Sequence, residues 1–173
     1  MPHFSACTQV LNRAMSCNGG CTVTGAASLC SSDGTALMPK ITPQEALIYV
    51  MITMSAVDRQ ISDHELERIA QIVRQLPVFM GFDINNLDKT AERCGELLSE
   101  EDGLDELLQQ VADALPKKLH ETAYAVAVEV AAADLKIADE EIRLLELLRD
   151  ALHLDKLVTA AIERGARARH QTI

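Results

Sequence analysis

VMITMSAVDRQISDHELERI, residues 50–69, returns in character as VAVEVAAADLKIADEEIRLL, residues 126–145. The offset between the two is 76 (134 minus 58). Val50 matches Val126, Ala56 matches Ala132, Asp58 matches Asp134, and Ile61 matches Ile137. Asp63 matches Asp139 and Glu65 matches Glu141, while Leu66, Ile69, Ile72 and Leu76 correspond to Ile142, Leu145, Leu148 and Leu152. Each copy reads as a helix apolar nearly all round, a tight loop opening on Asp, and an amphipathic helix. One such unit cannot bury its own apolar faces. Two packed face to face about a pseudo-twofold axis can, so the fold class expected is all-α.

The spacing outside the repeat is helical as well. Thr42 is placed to N-cap a helix whose first turn holds Pro43, and residues 43–57 form it. Leu66, Ile69, Ile72 or Val73, and Leu76 mark the next helix over 63–76. Pro77 and Gly81 break the chain. Leu87, Ala91, Cys94 and Leu98 define a third helix, and Leu104, Leu108, Val111 and Leu115 a fourth that stops before Pro116. Residues 117–133 form a fifth. Ile142, Leu145, Leu148 and Leu152 define a sixth, and Leu157, Ala161, Ile162 and Gly165 a seventh. The reading is a seven-helix bundle with short connections and no strand.

Composition changes near Pro39. The first forty residues carry only Arg13, Asp33 and Lys40 as charges, together with Cys7, Cys17, Cys21 and Cys30. They are rich in Ser, Thr, Gly and Ala without a sustained period. Residues 1–41 are therefore read as a disordered, cysteine-containing leader, and residues 42–173 as one helical domain. Met38-Pro39 offers an alternative start. Only Cys17-x-x-x-Cys21 is close in spacing, unlike zinc-finger pairs, so the leader cysteines read as free thiols. Cys94 lies on an apolar stripe and reads as core.

The chain has a net charge of −10, and the leader contributes +1, which leaves −11 on the helical domain. That balance disfavours nucleic acid, whose phosphates need Lys and Arg, and an anionic membrane surface. No stretch reaches the length of a membrane span, and the N terminus lacks the pattern of a signal peptide, so a cytoplasmic location is the default. Aromatic residues make up 3% and there is no Trp, so the core must be aliphatic.

Two acidic clusters stand out: Asp58, Asp63 and Glu65, then Asp134, Asp139 and Glu141. A hard cation, Ca²⁺ or Mg²⁺, takes six or more oxygen ligands, and each cluster offers three carboxylates plus loop carbonyls. Capping explains much of the same pattern. Ser62-x-x-Glu65 is a capping box, and Asp63 and Asp139 sit where the helix dipole favours negative charge. Asp58 and Asp134 end helices, where it does not, so loop N–H groups or a cation must offset them. Capping is preferred to metal. His64 and His120 adjoin Glu65 and Glu121, but Arg68 and Tyr124 occupy the place of a second His, so neither is a zinc-protease motif. Asp150-x-x-His153 is too little for a di-iron centre. Arg164, Arg167 and Arg169 read as a solvated basic helix end.

The apolar-helix–Asp-x-x-Ile-x-x-x-Glu pattern, twice in an acidic helical chain, resembles the TerB tellurite-resistance family over about residues 42–171. Family members often carry Asp-Gly where this chain has Asp58-Arg59 and Asp134-Leu135. The resemblance implies a seven-helix fold, a link to tellurite and other stress resistance, acidic residues proposed to bind metal, and kinship with the N-terminal domain of a membrane-anchored DnaJ-type co-chaperone. It implies no catalytic residue. Three functions are weighed on these grounds. The first is a non-enzymatic stress-response protein acting as an interaction or divalent-cation-sensing module. The second is a metal-free module that binds a protein partner or a second copy. The third, a carboxylate metalloenzyme, lacks any nameable base.

Overall fold

The computed structural model describes residues 41–57, 63–132 and 138–171. The leader, both Asp-opened loops and Ser62 lie outside the described residues. Seven α-helices follow one another among the described residues: α1 (Pro43–Ala56), α2 (Asp63–Gln75), α3 (Leu87–Leu98), α4 (Gly103–Ala114), α5 (His120–Ala131), α6 (Asp139–Ala151) and α7 (Lys156–Arg169). No strand occurs among the described residues. The fold class and the count of helices agree with the reading of the sequence.

α1 begins as its sequence dictates. The Glu45 N–H donates to Thr42 Oγ1 at 3.2 Å, and the Thr42 N–H donates to Glu45 Oε2 at 2.7 Å, a reciprocal cap with Pro43 just behind it. From Ala46 to Ala56 every residue is buried. A helix with no polar face has to sit in the middle, and α1 packs against α2, α3, α4 and α5. The aliphatic hydroxyls of Thr53 and Ser55 on this helix fare differently. Thr53 Oγ1 donates to the Tyr49 carbonyl at 2.8 Å, whereas Ser55 Oγ has no partner among the described residues. Cys94, on α3, is fully buried 3.9 Å from Thr53 Oγ1, so the core reading of this cysteine holds.

The turns follow local chemistry. A 3₁₀ turn over Pro77–Phe79 buries Phe79 and sets it edge-on to Phe82, with ring centroids 6.1 Å apart. Gly81, at φ +88°, closes this turn in a conformation that favours glycine. Between α3 and α4 the chain doubles back so tightly that a Cβ on Gly103 would lie 1.9 Å from the Leu97 carbonyl oxygen. Another 3₁₀ turn, Lys117–Leu119, leads into α5, so the fifth helix starts later than its apolar pattern suggested.

α5 is the second buried helix. It packs against α1, α6 and α7. The helices carrying the two repeated stretches are thus neighbours, and each precedes a helix that opens on Asp. α6 lies against α4 and α5.

Two sequence expectations about helix rotation are corrected. On α6 the buried arc is Leu144, Leu145 and Leu148, while Ile142 is 47% exposed. Contact with α4 as well as α5 turns the helix so that Leu144 goes inward and Ile142 to the rim. On α7 the buried residues are Thr159 and Ala166, and Leu157 is 79% exposed. This helix is rich in alanine, so apolar contrast is weak and polar bonds to α5 set its rotation.

The α6–α7 connection is a Schellman closure. The His153 N–H donates to the Asp150 carbonyl at 3.2 Å, and the Leu154 N–H donates to the Arg149 carbonyl at 3.0 Å. The residue forced into the left-handed region, at φ 52°, is His153 rather than glycine.

Candidate functional site

Four of the six candidate cation ligands are described. Asp63 and Asp139 are exposed on the first residues of α2 and α6, and Glu65 and Glu141 are half-buried in the same first turns. Glu141 Oε2 accepts from the Ala138 N–H at 2.8 Å, so this carboxylate caps α6. Ala138 has no side-chain oxygen to return the bond. Asp58 and Asp134 lie outside the described residues. The described part of each cluster therefore supplies two carboxylates, and no group of three or more His, Cys, Asp or Glu among the described residues is placed to hold a metal.

A concavity among the described residues lies elsewhere, between α5, α6 and α7. It is a cleft of about 580 Å³ whose floor is apolar, formed by Val128, Ala132, Leu145 and Ala166. Ile142, half in solvent, stands at its rim with Arg149 and Arg167. Arg149 pairs with Asp150 at 2.9 Å, and Glu146 with Arg143 at 2.9 Å. The Arg167 guanidinium has no partner among the described residues. Volume, an apolar floor and a few polar groups at the edge are the attributes of a binding cleft.

Polar bonds fasten one wall of the cleft. Tyr124 Oη donates to Glu163 Oε1 at 2.6 Å. Burial pushes the Tyr124 phenol well above its ordinary pKa, and the bond to Glu163 pushes the same way. Directly after Val128, Glu129 pairs with Arg169 and, at 3.1 Å, with His170. Burial works against the charged form of Glu129, but the hydrogen bonds and charges of Arg169 and His170 outweigh it and hold the carboxyl below its ordinary range. Arg169 is thus tied to α5, not simply solvated as its sequence position suggested.

A group whose folded pKa is depressed stabilises the fold above its unfolded pKa, and that contribution disappears as pH falls through the folded value. The Glu129 contribution is expected to be full at neutral pH and lost on acidification below the usual carboxylate range. Glu129→Gln should melt below the parent at pH 7 and lose less stability than the parent between neutral and strongly acid pH. Thermal melts followed by circular dichroism check this, and parallel acid limbs would contradict it.

His120 makes a further clasp. Its Nδ1 lies 2.9 Å from the Leu152 carbonyl oxygen and its Nε2 3.2 Å from the Leu115 carbonyl oxygen. The first residue of α5 thereby ties the C-terminal ends of α4 and α6. No sequence signal pointed to the cleft, to the α5–α7 clasps or to this histidine. Apart from the His120–Leu115 contact, their partners are 32 to 41 residues apart, beyond the reach of local patterns.

No helix among the described residues is long and apolar enough to cross a membrane. No curated protein and no solved structure matches the chain. The family model described as tellurite resistance protein TerB matches residues 44–164, which takes in α1 to α6, the whole cleft floor except Ala166, and both acidic first turns. With the match running over well more than half of the sequence, the chain belongs to the TerB tellurite-resistance family.

Proposed function

We propose that this TerB-family chain is a non-enzymatic interaction module that docks a protein partner in the cleft between α5, α6 and α7. The observation that carries the reading is the rim of the cleft. Ile142 holds a large apolar side chain 47% exposed beside an apolar floor, and Arg167 lines the same cleft without an ion pair among the described residues. The chemistry complementary to this is an amphipathic segment that offers an apolar side chain to the floor and a carboxylate to Arg167. A role in tellurite and other stress resistance is the family context of that docking. The acidic first turns of α2 and α6 serve capping, in line with Glu141 and the Ala138 N–H.

The test is affinity capture with the full chain, its Ile142→Arg variant and its Arg167→Glu variant. Both sites are exposed, so the fold should survive, and circular dichroism checks that it does. The parent is expected to recover one partner equally with and without chelator, and each variant to lose at least about tenfold of it, as expected when an anchoring contact is removed. Recovery unaffected by both substitutions would refute the cleft. Recovery that needs added Ca²⁺ or Mg²⁺ and is lost in Asp58→Asn with Asp134→Asn would transfer support to the cation-sensing reading.

A further inference from the structure

α7 is held to the body differently from every other helix. Only Thr159 and Ala166 are buried along its fourteen residues, and its main packing partner is α5. Open clefts flank it on both sides. One is the cleft described above, and the other, about 600 Å³, lies between α2, α5 and α7 over Ile72, Leu76, Ala125 and Val126. What fastens α7 is mostly polar: Tyr124 to Glu163, and Glu129 to Arg169 and His170. Such bonds exchange readily for identical ones.

The connection into α7 lacks the residues that commit a chain to bend, such as Pro77 and Gly81 before α3 and Pro116 before α5. Leu152-His153-Leu154-Asp155 contains neither Gly nor Pro, and no Gly or Pro occurs from Asp139 until Gly165. The bend places His153 at φ 52°, a conformation that costs an L-residue energy and that a helix would relieve. Running α6 straight into α7 would give one helix of roughly 46 Å and carry α7 off its own α5. Opposing this are the burial of Leu152 and the hydrogen bond its carbonyl oxygen accepts from His120 Nδ1 at 2.9 Å.

We propose that two copies of this chain exchange α7 reciprocally, each laying its last helix on the other's α5, with the hinge at His153. The occupant is the second copy because the bed on α5 fits this helix's own chemistry: Glu129 faces Arg169 and His170, and Tyr124 faces Glu163. Exchange restores every α5–α7 contact and gives up only the bend, its closing hydrogen bonds and the local contacts of Leu152, which is the low-cost route from monomer to dimer. A short strained hinge favours the same outcome. The inference goes beyond the partner-docking reading and can fail separately. Exchange leaves the lining of the cleft unchanged and alters only which chain supplies α7.

Sedimentation velocity on the full chain over a wide concentration range tests it. The parent should show a reversible monomer–dimer equilibrium. His153→Gly, which makes the bend easy at two hinges per dimer, should raise the dissociation constant at least about tenfold. His153→Ala, which favours the straight helix, should lower it several-fold. A second arm separates exchange from side-by-side docking. Glu129→Arg and Arg169→Glu each place like charges between α5 and α7 within one chain, and only reciprocal exchange between the two variants restores both pairs. Their equimolar mixture should form a heterodimer in excess of either homodimer. A parent that stays monomeric throughout, a dissociation constant unmoved by both His153 variants, or a mixture no more dimeric than its components would each overturn the proposal.

Discussion

Gly103→Ala is expected to destabilise the fold by about 3 kcal/mol or more, because the added methyl meets backbone rather than a side chain that can move aside. Its Cβ would lie 1.9 Å from the Leu97 carbonyl oxygen and 2.9 Å from the Leu97 carbonyl carbon, so α3 and α4 must separate to admit it. The two helices pack on each other and both pack on α1, so that separation reaches the centre of the core. Urea unfolding followed by circular dichroism measures the loss. A midpoint within experimental error of the parent would show that the turn is far looser than this geometry. Ser99→Ala is the matched control. Its hydroxyl bonds to the Gly95 carbonyl at 2.7 Å in solvent, so the loss should be well under about 1 kcal/mol.

Ile48→Ala should cost a similar amount for the opposite reason. Ile48 is fully buried on α1, the helix with neighbours on four others. Truncation removes methyl groups from the core and leaves a cavity that four packed helices cannot close. Substitutions of this kind cost about 2–5 kcal/mol, and a site enclosed on all sides belongs in the upper half of that range. Domains of this size are stable by about 5–15 kcal/mol in total, so either substitution removes a large share. Leu157→Ala on α7 is the contrast. With 79% of the residue exposed, there is little burial to lose, and the midpoint should barely move. Equal losses at Ile48 and Leu157 would mean that the core has been misplaced.

Most of the architecture is legible in the sequence. Thr42, Pro43 and Glu45 spell the start of α1, and the reciprocal cap forms as written. Pro77, Gly81, Gly103 and Pro116 punctuate the chain at turns observed in the structure. The acidic repeat and the family resemblance were legible for the same reason. They depend on residues close in sequence, or on one long pattern repeated.

The candidate site was legible only in fragments. Tyr124, Glu129, Arg149, Glu163 and Arg167 carry no signature that links them, because they come together only when α5, α6 and α7 are in place. The two rotation errors have one origin. On α6, leucines at three of the four positions from Leu144 to Leu147 leave several rotations almost equally apolar, and the second neighbour, α4, decides among them. On α7, alanines offer little contrast, and bonds from Glu163, Arg169 and His170 to α5 decide instead.

By itself, then, the sequence determined which segments are helical, where they stop, and which two are apolar enough to occupy the middle, because caps, breakers and period act over a few residues. Only the tertiary structure decided which side of α6 and α7 faces inward, where the cleft opens, and that His120 and Glu129 serve as clasps. Those outcomes depend on competition among contacts between distant segments, and that competition is resolved only when the helices pack.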